Sequence, residues 1–203
     1  MAQDQKREAI IESAIKRFAH YGVSKTTMSE IAADLSFSKA SLYYYFPDKL
    51  SLFAAVLNTI TKSGNAGFEP QLTNENDPFK AILFFLEKRT DFIIRYHNIL
   101  EYMKTFNHST IPTELQADFA RLKKIELQQI IEIFEKGMKS GLFNIKDAKK
   151  TAELFFDFME GFRTLTLLKS PTLFPEKKEF QAILKKELEF ATIFFNGLTI
   201  KNS

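Results

Sequence analysis

The stretch SFSKASLYYYFPDK, residues 36–49, decides how this chain is read. Ser38 offers a hydroxyl that can cap a helix N-terminus, and Pro47 ends that helix by disfavouring helical geometry at Phe46. Within the helix, consecutive side chains point about 100° apart, so Tyr43, Tyr44 and Tyr45 cannot all share one interior. Leu42 and Phe46 take the inner face together with the turn residue Phe37. Lys39 with Tyr43, and Ala40 with Tyr44, then face outward, while Ser41 and Tyr45 lie to the sides. Exposed aromatic residues at this density call for a partner.

Thr27 and Glu30, just upstream, have the spacing of a capping box, which opens a helix of about two turns with Met28, Ile31, Ala32 and Leu35 inside. Only Ser36, Phe37 and the cap Ser38 separate it from the tyrosine helix, the spacing of a helix-turn-helix. Before it, Ile10, Ile11, Ala14, Ile15, Phe18 and Ala19 form an amphipathic stripe that Gly22 can end in the left-handed conformation. Asp48 caps a fourth helix to about Thr61, with Leu50, Phe53, Ala54 and Leu57 inside. DNA supplies the missing chemistry. Ser38, Lys39 and Ser41 offer phosphates hydroxyls, a cation and backbone N–H groups, and Tyr43 and Tyr44 can donate hydrogen bonds while their rings lie along sugars or thymine methyls. Lys25, Thr26 and Thr27 flank the same backbone, as does Lys49. The competing reading makes the tyrosines half-buried packing residues and Lys39 ordinary surface.

KTTMSEIAADLSFSKASLYYYFPDKLSLFAAVL, Lys25 to Leu57, also resembles the DNA-binding domain of TetR-family transcriptional regulators. The likeness lies in the Thr before the second helix, the Ile31-Ala32 pair, the SKASLYYYF block and the Lys49 after a Phe-Pro-Asp turn, and it covers about residues 8 to 58. SGLFNIKDAKKTAELFFDFMEGF, further on, is similar to a looser C-terminal pattern of the family. One departure stands out. The family usually has Gly where this chain has Ser36, so Ser36 is expected to take a positive φ at some energetic cost.

The rest of the chain reads as helical throughout, with no period-2 strand and no internal repeat. Residues 63–78, SGNAGFEPQLTNENDP, concentrate loop formers and read as a boundary or a loosely packed connector. Asp77 and Pro78 then open a long helix to about Phe106. Thr113 and Gln116 form a capping box for another, which Gly141 can terminate, Asn144 is expected to cap a helix to about Leu168, and the last lies between Pro175 and Gly197. The expected fold is all-α: a helix-turn-helix domain over residues 1–48, then a larger helical bundle, residues 49–203, that binds ligand and dimerises as the TetR resemblance implies.

Composition excludes more than it selects. The 203 residues carry 28 Lys and Arg against 25 Asp and Glu, net +3. Residues 1–50 hold seven basic and six acidic residues, or +1, so no half is marked out by charge. With no cysteine there is no disulfide, thiolate zinc site or thiol nucleophile, which suits a reducing cytoplasm. Three histidines give no metal spacing, and no catalytic or phosphate-cradling motif is present, so neither enzyme activity nor a cofactor is expected. The longest apolar runs are too short to span a bilayer, and no membrane partner is expected. Twenty-two phenylalanines without one tryptophan must be buried in cores, in an apolar cavity or against a partner.

Two later helices are apolar nearly all round. On the first, Ala152, Phe155, Met159 and Phe162 make one stripe and Leu154, Phe158, Gly161, Leu165 and Leu168 another; the last helix, with Phe190 and Phe194, is as broad. One face of each can serve the chain's own core and leave the other for a second subunit. That matches the TetR-like arrangement, whose last two helices form a four-helix dimer interface, here Leu154, Phe158, Gly161, Leu165, Phe190 and Phe194. A two-fold dimer reads a pseudo-palindromic operator, with half-sites about 34 to 36 Å apart. Thr90 and His97 interrupt the stripe Ile82, Leu86, Ile93, Leu100, with Tyr96 and Tyr102 nearby. With Phe155, Met159, Phe162 and Arg163 they are the candidate lining for an apolar small-molecule effector, a cavity that the resemblance implies. The alternative is a core histidine satisfied by a carbonyl and an Arg163 paired with Glu160 at the surface. The expected function is that of a homodimeric, ligand-responsive regulator, a repressor, acting in the cytoplasm. The rivals are a helical protein-binding adaptor without DNA affinity, and a small-molecule carrier or unrecognised enzyme.

Overall fold

The computed structural model describes residues 2–103, 106, 113–169 and 175–199; within the helices the side chains of a few residues, including 64–70 and Thr113, lie outside the description. Among the described residues there are eight helices: α1 Ala2–Tyr21, α2 Met28–Asp34, α3 Lys39–Tyr45, α4 Lys49–Asn74, α5 Pro78–Met103, α6 Thr113–Lys139, α7 Ala148–Leu168 and α8 Lys177–Leu198. One isolated antiparallel bridge, Phe143 to Thr199, is the β-type pairing seen among them. The chain forms two compact units, Met1–Gly67 with Arg95–Leu122, and Phe68–Ile94 with Lys123–Ser203, so the divisions fall inside α4, α5 and α6.

In the first unit the expected punctuation is observed. Gly22 leaves α1 at φ 84°, its N–H closing on the Phe18 carbonyl at 3.0 Å. Ile10, Ala14, Phe18, Ile31, Ala32, Leu42, Phe46, Phe53 and Leu57 are buried, which fills the predicted inner faces of α1 to α4. Asp48 Oδ1 accepts from the Ser51 N–H at 2.7 Å and so caps α4; that bond is the first reason its carboxyl titrates below the ordinary aspartate range. The C-terminal part of α5 also belongs here: Asn98 Nδ2 donates to the Ala19 carbonyl at 2.8 Å.

Three boundaries differ from the sequence reading. The connector expected over residues 63–78 is largely helix, because α4 continues to Asn74. The reason is tertiary. Leu72 is buried in the second unit's core, and Lys136 Nζ donates to the carbonyls of Leu72 (3.1 Å) and Glu75 (3.2 Å), placing a cation on the negative end of the helix. α5 stops at Met103 and is interrupted at Tyr96, whose φ of −115° and ψ of 19° leave helical geometry. Asp147 rather than Asn144 caps α7, accepting from the Lys150 N–H at 3.0 Å; the Asn144 N–H is bonded to the Leu198 carbonyl at 2.8 Å, next to the Phe143–Thr199 bridge. Gly141 ends α6 at φ 72°, as expected.

The second unit answers the phenylalanine question. Phe134 lies 5.1 to 6.2 Å, centroid to centroid, from Phe143, Phe155, Phe194 and Phe195, and Phe190 stacks on Phe155 at 6.0 Å. These rings, from α6, α7, α8 and the segment between α6 and α7, form one apolar core with Ile82, Phe85, Leu86 and Met159.

Candidate nucleic-acid interface

The α2–α3 pair is built from local bonds that the sequence encodes. Thr27 caps α2: its Oγ1 accepts from the Glu30 N–H at 3.3 Å, and Glu30 Oε2 accepts from the Thr27 N–H at 2.7 Å. Thr27, through its hydroxyl first and its N–H second, holds the Glu30 carboxyl below the ordinary glutamate range. At the turn the N–H groups of Ser36 and Phe37 close on Ala33 and Ala32 carbonyls at 3.1 and 2.9 Å, and Ser36 has φ 54°. The residue that replaces the usual glycine does adopt the left-handed region. Ser38 Oγ then accepts from the Ser41 N–H at 3.1 Å and starts α3. Arg17 of α1 fastens the arrangement, donating to Asp34 (2.8 Å) and lying 3.6 Å from Glu30.

α3 points as its pattern requires. Leu42 and Phe46 are buried, Tyr45 is half-buried, and Tyr43 and Tyr44 are 40% and 73% exposed. Ser38, Lys39 and Ala40 are exposed and Ser41 half-exposed on the same side; Lys39 Nζ lies 5.8 Å from the Tyr43 ring centroid. Lys25 and Thr27 are exposed at the start of α2. The outward surface is thus a cation, small residues and two phenols on a rigid turn.

Two predicted contacts have other work. Thr26 is 1% exposed, its hydroxyl donating to the Gly22 carbonyl at 2.9 Å, so its side chain closes the α1–α2 corner and faces no partner. Lys49 Nζ donates to the carbonyls of Val23 (3.0 Å), Ser24 (3.4 Å) and Thr26 (3.2 Å), so its ammonium is the knot of the same corner rather than a phosphate ligand. These carbonyls belong to the turn between α1 and α2, and α4 begins where Lys49 can reach them.

The candidate ligand residues divide between the units. Tyr96, His97 and Tyr102 are in the first: Tyr96 is buried at the α5 kink, His97 Nδ1 lies 3.9 Å from Glu101, and Tyr102 packs edge-on to Phe53 at 5.0 Å. In the second unit Thr90 is buried, and Phe155 and Met159 lie in the phenylalanine core, where the rings of Phe134, Phe190, Phe194 and Phe195 stand 5.4 to 6.0 Å from that of Phe155. Phe162 is half-buried. Arg163 is not paired with Glu160 at the surface; it is buried and donates to Glu187 Oε2 at 2.8 Å, while Glu160 lies 3.9 Å from Lys123. Two clefts of this unit, about 190 Å³ beside Gln129 and Lys136 and about 300 Å³ beside Thr166 and Lys186, lie away from all eight candidates.

The outer stripe of α7 is uncovered. Leu154, Phe158, Gly161, Leu165 and Leu168 are exposed, with Leu154 at 65% and Phe158 at 48%. Phe158 stacks on the half-buried Phe190 of α8 at 4.0 Å, and Phe194, also half-buried, lies behind it.

Sequence reasoning missed the buried charges of the second unit. Arg89 of α5 pairs with Glu126 of α6 at 3.1 Å, and Arg163 of α7 with Glu187 of α8. Arg89 is held above its ordinary pKa: burial works against it, but Glu126, Glu187 and Glu160 together outweigh it. Arg163 is pushed down to about 10 by burial, with Arg89 adding to the effect. Glu187 sits on the Phe180, Ile183, Ala191 stripe of α8, a register that could have revealed it. Among the described residues no group of three or more His, Asp or Glu is placed to hold a metal, and no helix is long and apolar enough to cross a membrane.

A sequence profile described as "Bacterial regulatory proteins, tetR family" matches residues 10–56, which takes in the whole helix-turn-helix. The crystal structure of a transcriptional regulator from Cytophaga hutchinsonii ATCC 33406 is similar over 96% of this chain and 99% of its own, with a TM-score of 0.84 and 29% identity. The uncharacterized HTH-type transcriptional regulator YhgD of Bacillus subtilis (strain 168) is 26% identical over 156 residues, 75% of this chain and 78% of that protein. Over 47 residues, 23% of this chain and 21% of the relative, it is 43% identical to the probable acrEF/envCD operon repressor of Escherichia coli (strain K12). A helix-turn-helix with this cap, turn and outward face, matched by the tetR-family profile in a chain whose all-helical fold is that of a solved transcriptional regulator along its length, makes the protein similar to the DNA-binding transcriptional regulators of the TetR family.

Proposed function

We propose that the chain acts as a homodimeric repressor of a pseudo-palindromic operator and is released from it by a small-molecule effector. Residues 1–48 read the DNA and residues 49–203 dimerise and take the effector. The observation that carries the reading is the outward face of α3. Ser38, Lys39, Ala40, Ser41, Tyr43 and Tyr44 supply the base-edge and phosphate contacts, with Lys25 and Thr27 on the flanking backbone. Repression is the role named for the Escherichia coli relative. The uncovered Leu154, Phe158, Gly161 and Leu165 stripe, continued by Phe190 and Phe194, supports a two-fold contact between copies, which sets two α3 helices about 34 to 36 Å apart.

Support for an effector site in the second unit comes from Thr90 Oγ1 and Arg163 Nη1, which are buried without a hydrogen-bond partner among the described residues. An apolar molecule carrying one polar group, entering beside Phe162, satisfies them; binding shifts α4, the recognition helices change separation and operator affinity falls. A 100-fold preference of the effector for the DNA-incompetent state corresponds to about 2.7 kcal/mol of coupling.

The test is selection of bound duplexes from random DNA with purified protein, then gel-shift titration at two salt concentrations. A regulator selects an inverted repeat and loses affinity steeply with salt. A helical adaptor or a carrier selects nothing, and that result ends the reading. A Lys39→Ala, Tyr43→Ala variant should lose the selected site while keeping its melting temperature.

A further inference from the structure

We propose that the first turn of α1 is part of the DNA-reading surface, with Gln3 as the positioning residue that fixes the direction in which the Tyr44 hydroxyl donates. Gln3 Nε2 donates to Tyr44 Oη at 3.3 Å across 41 residues of sequence. The same end of α1 reaches the two phenylalanines that bracket α3: Lys6 Nζ lies 5.9 Å from the Phe37 ring and the Arg7 guanidinium 5.1 Å from the Phe46 ring. Tyr44 is therefore held at two points. Gln3 grips its oxygen, and Tyr45 meets its ring edge-on at 5.2 Å and 89°.

The chemistry follows from the direction of that bond. A phenol has one proton to give and accepts through its lone pairs. With the Gln3 amide donating to the oxygen, the proton is turned away from α1, toward whatever faces the 73% exposed ring. A chain of hydrogen bonds in one direction also polarises its members, so Tyr44 becomes a better donor. Its ligand is an acceptor on duplex DNA, a phosphate oxygen or a purine N7, guanine O6 or thymine O4 edge in the major groove. An exposed hydrogen bond adds little to folding, because water replaces it; its value lies in arranging the phenol before the DNA arrives.

The inference rests on the DNA-reading role of α3, and the experiment separates the two. The probe is the duplex that the wild-type protein selects from random DNA. If the wild type selects none, it is the reading of α3 that fails and this inference falls with it. If it selects one, Gln3→Ala and Gln3→Met, which lack the donor, should weaken binding about three- to tenfold with the salt slope unchanged. Placed in a Tyr44→Phe background, Gln3→Ala should have no further effect, whereas a merely structural role would weaken both backgrounds equally. Loss confined to one base pair identifies a base edge, and uniform loss a phosphate. An unchanged affinity for Gln3→Ala, or its full effect in the Tyr44→Phe background, overturns the proposal.

Discussion

Exchange of Glu187 for methionine tests the energetics of the second unit most directly. Glu187 is 0% exposed and its partner Arg163 7%, so the pair is a buried one with a single 2.8 Å hydrogen bond between α7 and α8. Arg163 titrates at about 10 in the folded chain, well below the ordinary guanidinium range, so burial costs its charged form on the order of 3 kcal/mol. A depressed cation has a definite sign. At pH 7 it is charged in both states, so the unfavourable contribution is fully present and is relieved only as pH rises through about 10 toward the ordinary guanidinium range. Glu187 therefore limits a burial cost that it does not cancel. Glu187→Met alone strands the cation and should lower stability by about 3–5 kcal/mol, and Arg163→Met alone strands the carboxylate to a similar extent. The double variant, apolar and of similar volume, should return to within about 1 kcal/mol of wild type or exceed it. Urea unfolding at pH 7 and one protein concentration measures all three, with melting drops of about 6–20 °C for the singles. A double variant no better than either single, or a Glu187→Met within about 1 kcal/mol of wild type, refutes the reasoning.

Four further outcomes are expected. Ser36→Gly removes the strain of a side chain at φ 54° and should stabilise the first unit by about 0.5–1 kcal/mol, read as a higher urea midpoint. Gly137→Ala places a methyl within the ring of the buried Phe143 and should destabilise by about 1–3 kcal/mol, although Ala is the better helix former. Lys49→Met deprives the Val23, Ser24 and Thr26 carbonyls of their donor and should destabilise by about 1–3 kcal/mol; a DNA-binding salt slope that stays unchanged once folding is saturated confirms that Lys49 makes no phosphate contact. Glu30, Asp34 and Asp48 all titrate below their ordinary values, by hydrogen bonds from Thr27, Arg17 and Ser51 respectively. Their contribution is complete above the unfolded pKa values and drains as pH falls from about 4.5 through the lowered ones, so Asp48→Asn should flatten the acid limb of an unfolding profile.

Local chemistry was legible where cause and effect lie within a few residues. The Thr27–Glu30 capping box, the Ser38 and Asp48 caps, the glycine stops at 22 and 141 and the outward tyrosines all depend on near neighbours, and all are observed. The α7 stripes were legible too, because helical period alone sorts Phe155 and Met159 from Leu154 and Phe158. The TetR resemblance added the role of the α2–α3 pair.

What residue spacing could not show is which distant group meets which. The length of α4 depends on Lys136 reaching Leu72 and Glu75, more than 60 residues away in sequence, so residues 63–78 do hold a division between units, at Gly67–Phe68, but as helix rather than as a loose connector. Lys49 and Thr26 resemble DNA contacts in a linear pattern, yet the corner they close is made only when α1, α2 and α4 come together. Arg163 found Glu187 rather than Glu160 because a partner 24 residues away offers a buried carboxylate and the nearer one faces out. Periodicity specifies which face of a helix is turned inward; the identity of the atom waiting there is set by packing between helices, where hydrogen bonds and charges are settled after the chain has closed on itself.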